Sequence, residues 1–172
     1  MKMFSIKNRY TETERLIASE RPRLLQYACY RLGSLADAED AVQDTLASLH
    51  QRMQEEGFAF NNLSAYLYRS LSNRCVSRQR ESSRLHLVPL DSQTDPAEAE
   101  SEDFEQEYQR ISQLLAAIPD EQAEVIRLRY YGDKTFKEIA QILDEPITTV
   151  KSRFVYGLDK IRRGMRVLSD NV

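Results

Sequence analysis

Two apolar stripes set only three residues apart near the C-terminal end constrain this chain more than any other feature. Phe136, Ile139, Ala140 and Leu143 recur at spacings of three and four, Asp144-Glu145-Pro146 follows, and then Ile147, Val150, Phe154, Leu158, Ile161 and Met165 repeat the pattern. Spacing of that kind lines one side of an α-helix. A three-residue connection makes the two helices cross steeply, with small Ala140 allowing close approach and Val150 filling the junction. This is a helix-turn-helix, whose second helix can enter the DNA major groove. Off its apolar stripe lie Thr148, Thr149, Lys151, Ser152, Arg153 and Tyr156, which offer hydroxyl, ammonium and guanidinium groups to phosphates and base edges. Lys160, Arg162, Arg163 and Arg166 add positive charge further along. A solvated helix face would also be polar, but the apolar spacing, the short turn and the basic, hydroxyl-rich side coincide here.

Helical spacing governs the rest of the chain too. Leu24, Leu25, Ala28, Cys29 and Leu32 mark one helix ending at Gly33; Ala38, Ala41, Val42, Thr45, Leu46 and Leu49 mark a second; Leu67, Tyr68, Leu71 and Cys75 mark a third starting near Ser64. Ile111, Leu114, Leu115 and Ile118 repeat until Pro119, where Pro119-Asp120-Glu121 reads as a new helix start. Five Gly and five Pro occur in 172 residues, against about 12 and 9 at average usage. So few turn formers argue against a β fold and for an all-α chain.

Charge is unevenly placed. The formal net charge is −3, from 24 Lys and Arg against 27 Asp and Glu. Asp91 to Glu107 holds eight of the acids and none of the bases, so the remainder carries +5. That acidic stretch, with Pro96 and several Ser and Thr, is a poor core former and reads as a solvated linker between two helical units. No apolar run approaches the roughly 20 residues of a membrane span, and the first ten residues lack a signal-peptide core. A cytoplasmic location is expected. Cys29 and Cys75 are too few for a disulfide framework, and with His50 and His86 they form no closely spaced metal set.

The residues in both halves resemble one family, the extracytoplasmic-function sigma factors of the sigma-70 class. Thr149-Val150-Lys151-Ser152-Arg153, with Lys137-Glu138-Ile139-Ala140 and Ile118-Pro119 ahead of it, resembles their region 4. Asp37 to Thr45 resembles the start of region 2, and Tyr66-Leu67-Tyr68-Arg69 with Asn73 resembles the helix that melts promoter DNA. The resemblance implies a region 2 unit over 1–88, a linker over 89–105 and a region 4 unit over 106–172, in a factor that carries core RNA polymerase to promoters and opens them. It also implies contact with the polymerase clamp helices through Asp40, Gln43, Asp44, Ala47 and Gln51. The apolar surface around Val125, Leu128 and Tyr131 could dock the polymerase flap, although simple core packing is the better account of at least half of it. Upstream, minus-thirty-five contact falls to Thr148, Thr149, Lys151, Ser152, Arg153 and Tyr156. Minus-ten contact falls to Asn61 and Asn62, in a base-holding loop over residues 58–64, and to Tyr66, Arg69, Asn73 and Arg80. At 100° per residue Arg69, Asn73 and Arg80 lie within roughly 40° of one another, opposite Leu67 and Leu71. An anti-sigma protein is a typical partner of this family. The linker could lie in a channel otherwise used by nucleic acid or serve as a passive tether.

Four positions depart from the family pattern. Tyr66 stands for the usual Trp, Ser77 for a common Asp, Asp144 for a frequent Gly in the turn, and Tyr156 for a frequent Arg. Asp144 would have to tolerate a left-handed backbone. A helix-turn-helix regulator that does not join polymerase would account for 106–172 but not for the Asp37 to Thr45 segment. An enzyme finds little support: the five Gly are isolated, no G-x-S-x-G elbow occurs, and neither His sits in a triad or metal motif. No cofactor is expected.

Overall fold

The computed structural model describes the backbone of residues 2–55, 60–85 and 102–169, and side chains within 11–55, 60–82 and 108–166. Seven helices make up the described chain: α1 (Lys2–Leu32), α2 (Leu35–Met53), α3 (Leu63–Leu85), α4 (Glu102–Ala116), α5 (Asp120–Tyr130), α6 (Phe136–Leu143) and α7 (Ile147–Ser169). The all-α, two-domain expectation holds. Phe58 and the stretch 89–101 of the acidic linker lie outside the described residues.

The breaks occur where turn chemistry demands them. Gly33 takes a left-handed φ of 74° and its N–H caps the Cys29 carbonyl at 2.8 Å, which ends α1. Ser34 then caps α2, its hydroxyl accepting from the Asp37 N–H at 3.3 Å. Asn62 does the same for α3, accepting from the Ala65 N–H at 3.0 Å. A capping box opens α6: Thr135 N–H donates to the Glu138 carboxylate at 2.8 Å, while Thr135 Oγ1 accepts from the Glu138 N–H at 3.3 Å. Asp144 closes α6 in the left-handed region, φ 54° and ψ 46°, as the missing Gly required. The first helix extends well before the stripe at Leu24, back through Pro22, and buries Ile17 and Glu20 on the same side.

Helices α1, α2 and α3 pack together, as do α5, α6 and α7, with α4 laid against α1, α5 and α7. Leu24, Tyr27, Ala28, Leu49, Leu67, Tyr68 and Leu71 are fully buried in the first unit, and Cys75 joins them. Burial pushes the Cys75 thiol up to about 12, which makes it an inert packing group. Leu115, Ile118, Ala123 and Ile126 form a second core, flanked by Ile111, Phe154, Leu158 and Ile161.

The two units are closed against each other. Tyr27, Leu24 and Tyr68 share a continuous core with Val125, Leu128, Ile139, Ile142 and Val150. Gly132 makes this possible, since a Cβ there would lie 2.8 Å from the Leu128 carbonyl oxygen and 3.1 Å from the Tyr68 ring. Beside the apolar contact sits a buried ionic cluster. Glu124 accepts from Arg31 and from the Tyr27 hydroxyl, and from Ser72 at 3.2 Å and Arg127 at 3.4 Å. Asp120 pairs with both Arg31 and Arg127 at 3.1 Å. A second pair, Lys134 Nζ to Glu20 Oε1 at 2.6 Å, has both side chains nearly out of solvent. Tyr68 donates toward Glu20 at 3.2 Å, and the Lys134 ammonium stands 4.8 Å from its ring centre. Tyr30 stacks on Tyr131 with centroids 3.6 Å apart and planes 7° from parallel.

In Gly132→Ala the added methyl meets a fixed backbone oxygen, so thermal unfolding should show a loss of about 1–3 kcal/mol, the usual cost of overpacking; an unchanged melting temperature would refute the close approach. At Asp120, burial alone would raise the carboxyl, but Arg31 and Arg127 outweigh it and hold it below the ordinary 3.8. A depressed folded value contributes stability that is complete above the unfolded value and lost as pH falls through the folded one. Asp120→Asn should therefore be less stable than the parent chain at neutral pH, with the gap closing as pH drops below 3.8.

Candidate nucleic-acid interface

The helix-turn-helix presents its polar side to solvent. Val150 is fully buried at the α6–α7 junction, and Phe154 packs edge-on against Phe136 with centroids 5.1 Å apart. This fixes α7 so that Thr148, Lys151, Ser152 and Tyr156 face outward, with Thr149 half-buried. Tyr156 is 63% exposed and the neighbouring Val155 61%, an apolar increment on that side that the sequence pattern did not single out. Ser152 Oγ donates to the Thr148 carbonyl at 2.9 Å. Arg153 differs from its neighbours: its side chain is half-buried and pairs with Glu145 at 3.0 Å and Glu121 at 3.2 Å. Those pairs tie α7 to the turn and to α5.

On α3, Arg69, Asn73 and Arg80 share an exposed side while Leu67 and Leu71 are buried opposite, as helical geometry dictates. Arg69 is not open along its whole length. Its Nε donates to the Ile142 carbonyl at 2.6 Å and its Nη2 to the Gln141 carbonyl, both at the end of α6. The Asn62 amide nitrogen donates to Gln141 Oε1 at 3.1 Å, and its oxygen caps α3. Asn61 is exposed. Tyr66 is half-buried, tilted on Phe60 at 4.9 Å, with the Arg52 guanidinium 5.5 Å from its ring centre. Arg52 joins this aromatic group from the end of α2, and no sequence spacing links it to Tyr66.

The side of α2 bearing Asp40, Gln43, Asp44, Ala47 and Gln51 is exposed throughout. Arg78 from α3 reaches three of its acids, Asp44 at 3.2 Å, Asp37 at 3.7 Å and Asp40 at 3.8 Å. Of the two accounts of the apolar residues Val125, Leu128 and Tyr131, core packing is the one that holds: Val125 and Leu128 are fully buried and Tyr131 stacks on Tyr30. Tyr130, 59% exposed and stacked on Phe154, is the aromatic residue that α5 leaves in solvent. Among the described residues no group of His, Cys, Asp and Glu could hold a metal ion, and no helix is long and apolar enough to cross a membrane.

Comparison with known proteins agrees with both halves. Residues 16–85 match sigma-70 region 2 and residues 114–163 match sigma-70 region 4. The chain is 28% identical over 139 residues to the ECF RNA polymerase sigma factor RpoE of Cereibacter sphaeroides, covering 77% of this chain and 75% of that protein. It is 29% identical over 155 residues to the ECF RNA polymerase sigma factor SigW of Bacillus subtilis, covering 81% and 82%. Among solved structures it resembles the sigma factor RpoE in complex with the anti-sigma factor NepR from Bartonella quintana, with TM-score 0.63, 27% identity and coverage of 91% and 98%. CnrH in complex with the cytosolic domain of CnrY shares the fold, with TM-score 0.70, 20% identity and coverage of 96% and 94%. The chain belongs to the extracytoplasmic-function group of the sigma-70 family of RNA polymerase sigma factors.

Proposed function

We propose that this chain is an alternative sigma factor: it binds core RNA polymerase, directs it to a particular set of promoters and promotes DNA opening. The observation that carries this reading is the pairing, in one chain and in order, of a region 2 bundle with a polar α3 side and a region 4 helix-turn-helix with a polar α7 side. A regulator that acts without polymerase needs only the second of these. The boundaries we assign are 1–88, 89–105 and 106–172.

Thr148, Thr149, Lys151, Ser152 and Tyr156 contact the minus-thirty-five element in this reading, supported by their place on the solvent side of α7. Arg153 contributes by holding the turn as well as by charge, because two carboxylates already pair with it. Asn61, Asn62, Tyr66, Arg69, Asn73 and Arg80 serve the minus-ten element, where an aromatic plane and a row of cations suit unstacked bases and single-strand backbone. Asp40, Gln43, Asp44, Ala47 and Gln51 face the polymerase clamp, and Arg78 steadies their carboxylates. With the Val125 and Leu128 surface internal, Tyr130 is the exposed aromatic near which the flap would dock. An anti-sigma protein is the regulatory partner, the setting is the cytoplasm, and the chain itself performs no catalysis.

Purified protein added to core polymerase should initiate transcripts from a genomic library, with permanganate-reactive thymines near each start. Asn73→Ala and Arg80→Ala should abolish that reactivity while polymerase binding is retained; failure of the parent chain to initiate anywhere would refute the sigma reading. Lys151→Ala should weaken binding to the upstream element and reduce the slope of log affinity against log salt by about 1, as expected for one lost phosphate contact. An unchanged salt slope would remove Lys151 from the contact surface.

A further inference from the structure

The aromatic group at the head of the α3 polar row is built by two helices. Tyr66 lies in the first turn of α3 and belongs to the row of Arg69, Asn73 and Arg80, standing within about 20° of Asn73 around the helix. Its ring meets Phe60 at a centroid distance of 4.9 Å and an angle of 54°. Over the ring stands the guanidinium of Arg52, from the last turn of α2, with its central carbon 5.5 Å from the ring centre. Arg52 is exposed while Tyr66 and Phe60 are half-buried, so the cation is the outer member of the group.

That spacing decides which member a nucleobase can reach. A base inserted between the ring and the cation needs about 6.8 Å, twice the 3.4 Å rise of stacked bases. The 5.5 Å present is too small, so a base approaching from the α2 end meets Arg52 and not the ring beneath it.

A guanidinium suits such a position. It is planar, permanently charged and weakly hydrated, and it stacks on a base face as it does on an aromatic ring. Its edge N–H groups remain directed outward, toward the phosphates of the same strand. An ammonium on a similar stem keeps the charge and the attraction to the ring but has no flat face to offer. Ring size adds to the argument: Tyr66 stands for the usual Trp, so the aromatic plane alone is narrower, and Arg52 supplies added breadth.

We propose that Arg52 is a minus-ten contact: it caps the Tyr66 ring and forms the face on which one unpaired base of the melted strand stacks. This rests on the sigma reading given above and extends it to a residue of α2, the helix whose neighbouring Gln51 is assigned to the polymerase clamp.

The test uses holoenzyme assembled from core polymerase and the full-length chain, on a promoter recovered from the genomic library. In it 2-aminopurine, a base analogue whose fluorescence is quenched by stacking, is placed in turn at each unpaired position of a pre-melted minus-ten strand. Arg52→Ala should relieve quenching at one position and slow the appearance of permanganate-reactive thymines several-fold, with polymerase binding retained. Arg52→Lys should behave as Arg52→Ala does. Adding Tyr66→Trp to Arg52→Ala should restore both quenching and rate, because the wider ring then lies open to the base. Equal quenching and equal rates for the parent and Arg52→Ala would overturn the proposal. So would a fully active Arg52→Lys, which would reduce Arg52 to a point charge, or a Tyr66→Trp that rescues nothing. Loss of polymerase binding in Arg52→Ala would overturn it as well, by moving Arg52 to the clamp surface beside Gln51. If the parent chain itself initiates nowhere, the sigma reading fails and takes the proposal with it, a result distinct from an active parent matched by Arg52→Ala.

Discussion

Glu124 is the residue on which the closed structure turns. It lies on α5, is nearly buried, and accepts from Arg31 and Tyr27 of α1, Ser72 of α3 and Arg127 of its own helix. With Asp120 it balances two arginines, so the cluster is neutral as a whole. Such a cluster is not an efficient source of stability, because ions give up hydration on burial and recover it only through well-formed partners. Here the recovery is incomplete: Nε of Arg31 and Nε of Arg127 are buried without a protein acceptor. An unmet buried donor typically costs about 1–3 kcal/mol. The apolar share of the interface, Leu24, Tyr27 and Tyr68 against Val125, Leu128 and Ile142, supplies the compensating attraction.

Local structure follows from the chain's own residues wherever a short-range rule applies. The α6–α7 turn is the clearest case. The apolar stripes locate both helices, Thr135 and Glu138 are the ingredients of a capping box, and the left-handed Asp144 is what an Asp in a Gly position must adopt. The polar row of α3 is likewise legible, because 3.6 residues per turn places Arg69, Asn73 and Arg80 together whatever the surroundings.

Contacts between units leave no comparable trace. Nothing in the spacing of Glu20 and Lys134, 114 positions apart, marks them as partners. Arg153 reads as a DNA-facing cation until Glu121 and Glu145 are seen beside it. Val125 and Leu128 are apolar on a short helix, equally suited to docking a partner or filling a core, and the core won because a second unit covers them. The beginning of α1 is similar: its apolar stripe is sparse before Leu24, and tertiary packing of Ile17 and Glu20, rather than periodicity, extends the helix through Pro22.

The make-up of the contact between the two units bears on what the chain does when it is alone at high concentration. Long apolar surfaces uncovered by domain motion tend to be captured by other chains, and such capture ends in aggregation. Here Glu20, Arg31, Glu124, Arg127 and Lys134 are buried beside Tyr27, Tyr68 and the leucines between them, so any parting of the units would bring both kinds of side chain into solvent together. Bases and acids would then alternate across the uncovered faces, keeping water on them and discouraging self-association.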